Sequence, residues 1–169
     1  MSEIYNSDWI NTDGNYIHRT AIVYPCVQLG RGNVIGPYSV IGSNGEIRGK
    51  SQHEFKGRVI IGDGNVISEH VTIQRPFDDA ATYVGSRNII MAHAHIGHDA
   101  IIGNETEICT TSVIGGYAII KDGAKIKLRC VVRNRATVGL NAVVGMGSVV
   151  TKDVPDGAVV YGNPAKQKQ

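Results

Sequence analysis

Leucine is nearly missing from this chain: three residues in 169, against 21 isoleucines and 19 valines. β-Branched side chains are stiff at χ1 and suit strands better than helices, so the imbalance excludes a helical bundle. Aromatic residues are scarce at 6%, with one Trp and two Phe, too few to build stacking platforms for nucleic-acid bases. Charge of neither sign dominates: 17 basic and 15 acidic residues leave a net charge of +2, and no basic run marks a nucleic-acid or membrane-surface partner. No apolar stretch approaches the ~18 residues of a membrane span. The first residues, MSEIYNSDWINTDGN, lack the basic and apolar regions of a secretory signal. The three cysteines, Cys26, Cys109 and Cys130, are odd in number and far apart. They read as free, buried thiols in a reducing cytoplasm rather than a disulfide framework.

What the chain does have is glycine, 21 residues, and a period. From position 84 an aliphatic residue recurs at every sixth place: Val84, Ile90, Ile96, Ile102, Ile108, Ile114, Ile120, Ile126, Val132, Val138, Val144 and Val150. Four places after most of these anchors stands a small residue, as at Ala94, Ala100, Ser112, Ala118 and Ala124. The period also runs through Ile17, Val23, Leu29, Ile35 and Ile41, with Ile47 as a candidate, and through Ile61, Ile67 and Ile73. Residues 48–59 and 74–83 break phase and are expected to leave the body as loops.

A period of six fits neither the 3.6 of a helix nor the alternation of a hairpin strand. It describes a prism. Each hexad is a short strand and a corner, the aliphatic residue pointing inward and the small residue turning the corner. Three hexads close one coil, and coils stack at the ~4.8 Å spacing of paired strands. The expected fold is therefore all-β, a parallel β-helix of about seven coils, with residues 18 apart lying one above the other. It is read as a single unit: 1–16 as an N-terminal cap, 17–154 as repeats, and 155–169 as a tail closing the far end. The open ends of such a prism expose unpaired strand edges, which need covering.

Five of the six histidines lie between 53 and 98, three of them in MAHAHIGHDAIIGN (91–104). With Ile96 inward, His95 points out and His98 opens the next corner beside Asp99. A histidine followed by an acid is suited to general-base chemistry near neutral pH. The runs AHIGHD (94–99), IIGN (101–104), VTIQR (71–75), YVGSRN (83–88) and KDVP (152–155) resemble the UDP-N-acetylglucosamine acyltransferases of lipid A synthesis, within the hexapeptide-repeat acyltransferases. That resemblance implies a left-handed coil. It implies His98 as base, Asp99 as its orienting acid, and Gly116 as the oxyanion donor. The 18-residue coil independently puts Gly116 on His98.

It further implies a homotrimer with sites between prisms. The sugar would be nucleotide-linked and acylated at an amine or hydroxyl. A thioester, acyl-coenzyme A or an acyl carrier protein, would be the co-substrate, with no permanently bound cofactor and no metal. Expected substrate contacts are His95, Gln74, Arg75, Tyr117, Arg133 and Met146; Tyr117 and Arg133 stand where the family carries further histidines. Arg129, Arg133 and Arg135 are read as one outward basic stretch able to meet phosphates. Met146 is expected to shorten the acyl groove, so that the acyl group is short. The tail resembles the coenzyme A end of hexapeptide acetyltransferases, with Asn163, Pro164, Ala165 and Lys166 beside the cofactor.

Two other readings compete. His70, His93 and His98 have spacings loosely similar to the zinc ligands of γ-class carbonic anhydrases. A catalytically inert prism serving as a scaffold is the third reading.

Overall fold

Three parallel β-sheets wall a triangular prism in the computed structural model, which describes residues 8–77 and 80–167. The sheets hold ten, six and seven strands, and nearly every strand pairs with one from the coil above or below. The described residues contain no α-helix and one 3₁₀ turn, Gln52–Glu54. The molecule is a left-handed parallel β-helix.

The register follows from the hexad. Ile96 pairs with Ile114, Ile114 with Val132 and Val132 with Val150, each 18 residues on. The largest side chains with essentially no exposure are all isoleucines at anchor positions, from Ile35 to Ile126. Three columns of stacked isoleucine and valine, one from each sheet, thus fill the prism. One residue along, the same strands point outward and stay exposed, as Ile89 and Ile101 do.

Corners are tight. One column of them runs through residues in the left-handed region: Asp99, Tyr117 and Arg135, at φ 59°, 59° and 65°. Another column carries His70, His93, Thr111 and Arg129. On the inside of a third corner the small residue gives way to asparagine. Asn15, Asn33, Asn65 and Asn88 stack, and each Oδ1 accepts the backbone N–H of the next rung at 2.7–2.9 Å, ending on Thr106. Buried amides that the ladder of strands leaves over are satisfied there.

Two excursions interrupt the coils. Ile41 pairs with Ile73 and Ile73 with Ile96, steps longer than a coil by 14 and 5 residues. Strands Val40–Ser43 and Arg58–Ile61 bound the first excursion at 44–57, and Thr72–Gln74 and Ala81–Val84 bound the second, of which 75–77 and 80 are among the described residues and 78–79 are not. These limits differ from 48–59 and 74–83 because strand pairing, not hexad phase, sets where the chain leaves. Ile47 is consequently no anchor; it lies in the first excursion.

Both ends of the ten-stranded sheet turn antiparallel. Trp9–Thr12 folds back on Asn15–His18, and Lys166–Gln167 folds back on Val159–Tyr161. At both ends of this sheet an antiparallel strand thus takes up the edge that the parallel run would leave open. The tail leaves the repeat later than 155: Val143 and Val144 still pair with Val159 and Val160, a step of 16. Residues 1–7 of the expected cap and 168–169 of the tail lie outside the described residues.

Candidate active site

Strand His95–Ile96 ends at the corner that presents His98, and the two excursions fold over that corner. His98 Nδ1 and Asp99 Oδ2 are 2.8 Å apart, both side chains largely buried. The carboxylate can only accept, so Nδ1 carries the proton it donates; in the neutral imidazole the lone pair then lies on Nε2. Asp99 is itself fixed from two sides. Its Oδ2 also accepts the N–H of Phe77 at 3.0 Å, and its own N–H donates to Thr82 Oγ1 at 2.8 Å. His98 N–H donates to Gln74 Oε1 at 3.3 Å.

Glycines face the imidazole on two sides. A Cβ on Gly116 would lie 2.7 Å from Nε2, and one on Gly45 would lie 2.9 Å from His98 Cβ. Gly116 is buried, and its N–H donates to no acceptor among the described residues. The ring of Tyr117 stands edge-on to His98 with centroids 5.2 Å apart, and the Arg135 guanidinium lies 4.1 Å over the Tyr117 ring. A cavity of about 380 Å³ opens at this point. Glu46, Ile47 and Arg48 of the first excursion line it with Phe77 of the second, and His98, Tyr117, Asn134 and Arg135 come from successive coils.

The structure therefore brings His98, Asp99, Gly116, Gln74 and Tyr117 together. His95 is adjacent, its Nδ1 2.7 Å from Thr72 Oγ1. Burial holds the His95 imidazole below its ordinary range, against the opposing pull of Glu46, with His98 adding to the depression. Arg75 turns to the root of the first excursion, donating to Gly57 O at 3.2 Å. Arg133 donates along the prism to Thr151 O at 3.1 Å and does not line the cavity. The three arginines do not form one stretch: Arg135 shares the corner of Asp99, whereas Arg129 occupies the corner of His93, because six residues advance the chain by one corner.

Met146 lies at that other corner, 71% exposed. It borders a groove of about 500 Å³ with Leu128, Arg129 and Gly147. Asn163, Pro164 and Ala165 form the turn that closes the far end, where Ala165 N–H donates to Val149 O at 2.8 Å, and Lys166 begins the returning strand.

His70 and His93 stack face to face, 4.7 Å apart and nearly parallel, with Tyr38 beneath them. Their corner is not the one His98 occupies, so within the chain the three histidines do not converge. No group of three His, Cys, Asp or Glu among the described residues is arranged to hold a metal ion. The cysteines are free. The Cys109 thiol, pushed up to about 11 by burial and by Glu107, is suited to packing rather than nucleophilic chemistry.

Sequence reasoning missed Gly45, Glu46, Ile47, Arg48, Phe77, Thr82 and Asn134. Asn134 was within reach, since it lies one more coil above Gly116. The excursion residues obey no period, and nothing in their order announces where they fold.

No family model matches the chain. It is 38% identical over 120 residues to the acyl-[acyl-carrier-protein]–UDP-N-acetylglucosamine O-acyltransferase of Pseudomonas aeruginosa PAO1, covering 68% of this chain and 46% of that protein. With the enzyme of the same name from Stutzerimonas stutzeri it shares 34% over 146 residues, 83% of this chain and 55% of the relative. The crystal structure of a UDP-N-acetylglucosamine acyltransferase from Bacteroides fragilis superposes with a TM-score of 0.85 at 30% identity, over 92% of this chain and 61% of that one. The chain spans about half the length of the curated relatives it matches. In sequence and in fold, it is a homologue of the UDP-N-acetylglucosamine O-acyltransferases.

Proposed function

We propose that this chain moves an acyl group from the thioester of an acyl carrier protein to a hydroxyl of a nucleotide-linked amino sugar, with His98 as general base. The carrier-protein donor and UDP-N-acetylglucosamine acceptor are those named in the relatives. They favour oxygen over nitrogen as the acylated atom, and the carrier protein over coenzyme A. The observation that carries the mechanism is the His98–Asp99 pair, Nδ1 and Oδ2 2.8 Å apart, with His98 lining the cavity.

Nε2 takes the proton of the acceptor hydroxyl as its oxygen attacks the thioester carbonyl. Asp99 stabilises the imidazolium so formed. The Gly116 N–H, which donates to no other described residue, faces the developing oxyanion. Collapse breaks the carbon–sulfur bond, and the leaving thiolate takes the proton back from the imidazolium. Neither metal nor redox chemistry is needed for this exchange, only positioning, a base and a donor.

In the same reading Gln74 supports the backbone of His98, His95 flanks the acceptor, and Arg75 ties the two excursions together. Arg133 and the groove beside Met146 serve a neighbouring prism in a homotrimer, with Met146 limiting the acyl group to a short one. The turn 163–166 meets the pantetheine arm of the donor. No helix among the described residues is long and apolar enough to cross a membrane, and the proposed reaction is a cytoplasmic one.

The test is to offer UDP-N-acetylglucosamine with acyl carrier protein thioesters and with acyl-coenzyme A. Release of free thiol and formation of the acylated sugar are followed. Carrier-dependent product formation that disappears in His98→Ala is expected. Thiol release undiminished in His98→Ala refutes the base. A purified protein that contains stoichiometric zinc and no transferase activity favours the carbonic anhydrase-like reading, and one with neither favours the scaffold.

A further inference from the structure

Above Asp99 the same corner carries an aromatic ring and then a cation. Asp99, Tyr117 and Arg135 are 18 residues apart and all three corner residues lie in the left-handed region, which points their side chains along one column. The backbone locks the column: Tyr117 N–H donates to His98 O and Arg135 N–H donates to Gly116 O, both at 3.0 Å. The Arg135 guanidinium lies 4.1 Å over one face of the Tyr117 ring. The ring meets the His98 imidazole at 89°, with centroids 5.2 Å apart.

We infer that Tyr117 and Arg135 are positioning residues for His98, a conclusion that rests on the acyl-transfer reading of this site. The imidazole is held at Nδ1 by Asp99 and flanked by Gly45 and Gly116. A hydrogen bond at one atom still allows rotation about it, and glycines offer no side chain to oppose that rotation. The perpendicular Tyr117 ring does oppose it. Arg135 in turn keeps the Tyr117 ring from swinging outward, because the guanidinium is attracted to the ring face. The guanidinium makes no ion pair with a carboxylate among the described residues. The chain of contact is therefore cation, aromatic ring, imidazole, with only the last touching the reacting atoms.

The reading differs from one in which Tyr117 and Arg135 bind substrate, since both also border the cavity. A positioning residue acts on turnover and a ligand acts on affinity. Kinetics with the carrier thioester and UDP-N-acetylglucosamine separate them. Tyr117→Leu is expected to lower kcat about tenfold and Arg135→Gln about threefold, the span of a cation–π contact and the ring it holds, with KM for both substrates within about twofold. The double variant should fall no further than Tyr117→Leu alone, because Arg135 acts through the ring. Tyr117→Phe, which keeps the ring, should lose far less than Tyr117→Leu.

A second readout needs no reaction. ¹⁵N spectra of the His98 imidazole in the resting protein should show one tautomer, protonated at Nδ1, and mixed tautomers or broadened lines in Tyr117→Leu. A raised KM with kcat retained, multiplicative loss in the double variant, or an unchanged ¹⁵N signature in Tyr117→Leu overturns the inference. Should the unmodified protein fail to acylate any sugar, the ¹⁵N spectra still decide the positioning, and it is the proposed function that fails.

Discussion

Adding one methyl group at Gly116 is the most direct challenge to the assignment of Nε2 as the reacting atom. An alanine there would place its Cβ 2.7 Å from Nε2, 2.8 Å from Cε1 and 3.2 Å from Cδ2 of His98. Unstrained carbon contacts lie at about 3.5–4.0 Å, so the ring has to retreat by about 1 Å. Its retreat is opposed on two sides: Nδ1 is tied to Asp99 Oδ2 at 2.8 Å, and the Tyr117 ring stands edge-on to the imidazole with centroids 5.2 Å apart. Backbone strain does not enter, because Gly116 lies outside the left-handed region. Nor does the change remove a donor, since alanine keeps the N–H. A reacting atom displaced by about 1 Å costs about 10²-fold in turnover, and forcing a methyl into a packed corner costs about 1–3 kcal/mol of stability. Thiol release at saturating substrate, beside a thermal melt, measures both. A folded Gly116→Ala protein with undiminished turnover would show that Nε2 is not where the proton is taken.

His98→Ala should lose about 10²–10⁴-fold in kcat with KM little changed, whereas His93→Ala, in its stack on another corner, should lose far less; equal losses would revive a shared metal site. Met146→Gly should shift donor preference toward longer acyl chains, each additional buried CH₂ being worth about 0.8 kcal/mol, as read from competition between acetyl and longer carrier thioesters; equal use of all lengths by the unmodified protein denies Met146 that role. His95 is held below its ordinary pKa of ~6.5 chiefly by burial. As pH falls below that value the unfolded chain takes up a proton that the native His95 refuses, so stability present above it is progressively lost. The melting temperature should drop between pH 7.5 and 5.5, and His95→Gln should drop less; identical drops would mean that His95 does not contribute.

The body of this fold was legible because one rule repeats. An inward aliphatic every six residues has a single geometric solution, so Ile96 on Ile114 and Gly116 on His98 follow from counting. Tyr117 comes from the resemblance rather than from counting; carried one coil further, the counting also reaches Asn134 and Arg135. It failed where the period fails. Gly45 reaches His98 from an excursion whose path depends on Phe55 packing edge-on against Phe77, 5.4 Å between centroids. That contact joins the two excursions and leaves no spacing in the chain. Arg129 and Arg135 part for the opposite reason: nearness along the chain is not nearness in space in a fold where six residues turn 120°.

Pairing at 18-residue steps also makes the prism an instrument graduated in whole coils. Each coil rises by the distance between neighbouring strands, about 4.8 Å, and the stacked columns of isoleucine and valine oppose any fraction of a step. The span between two corners along the axis can therefore change only by inserting or deleting a complete turn, which would carry every residue above it upward together. Reach along the surface is adjustable more finely only through what the corners carry: a glycine, a methionine or an arginine at a fixed height. Divergence in such a scaffold is digital along its length and analogue across its faces, and a change of ligand size is met by exchanging a side chain at one rung rather than by bending the frame.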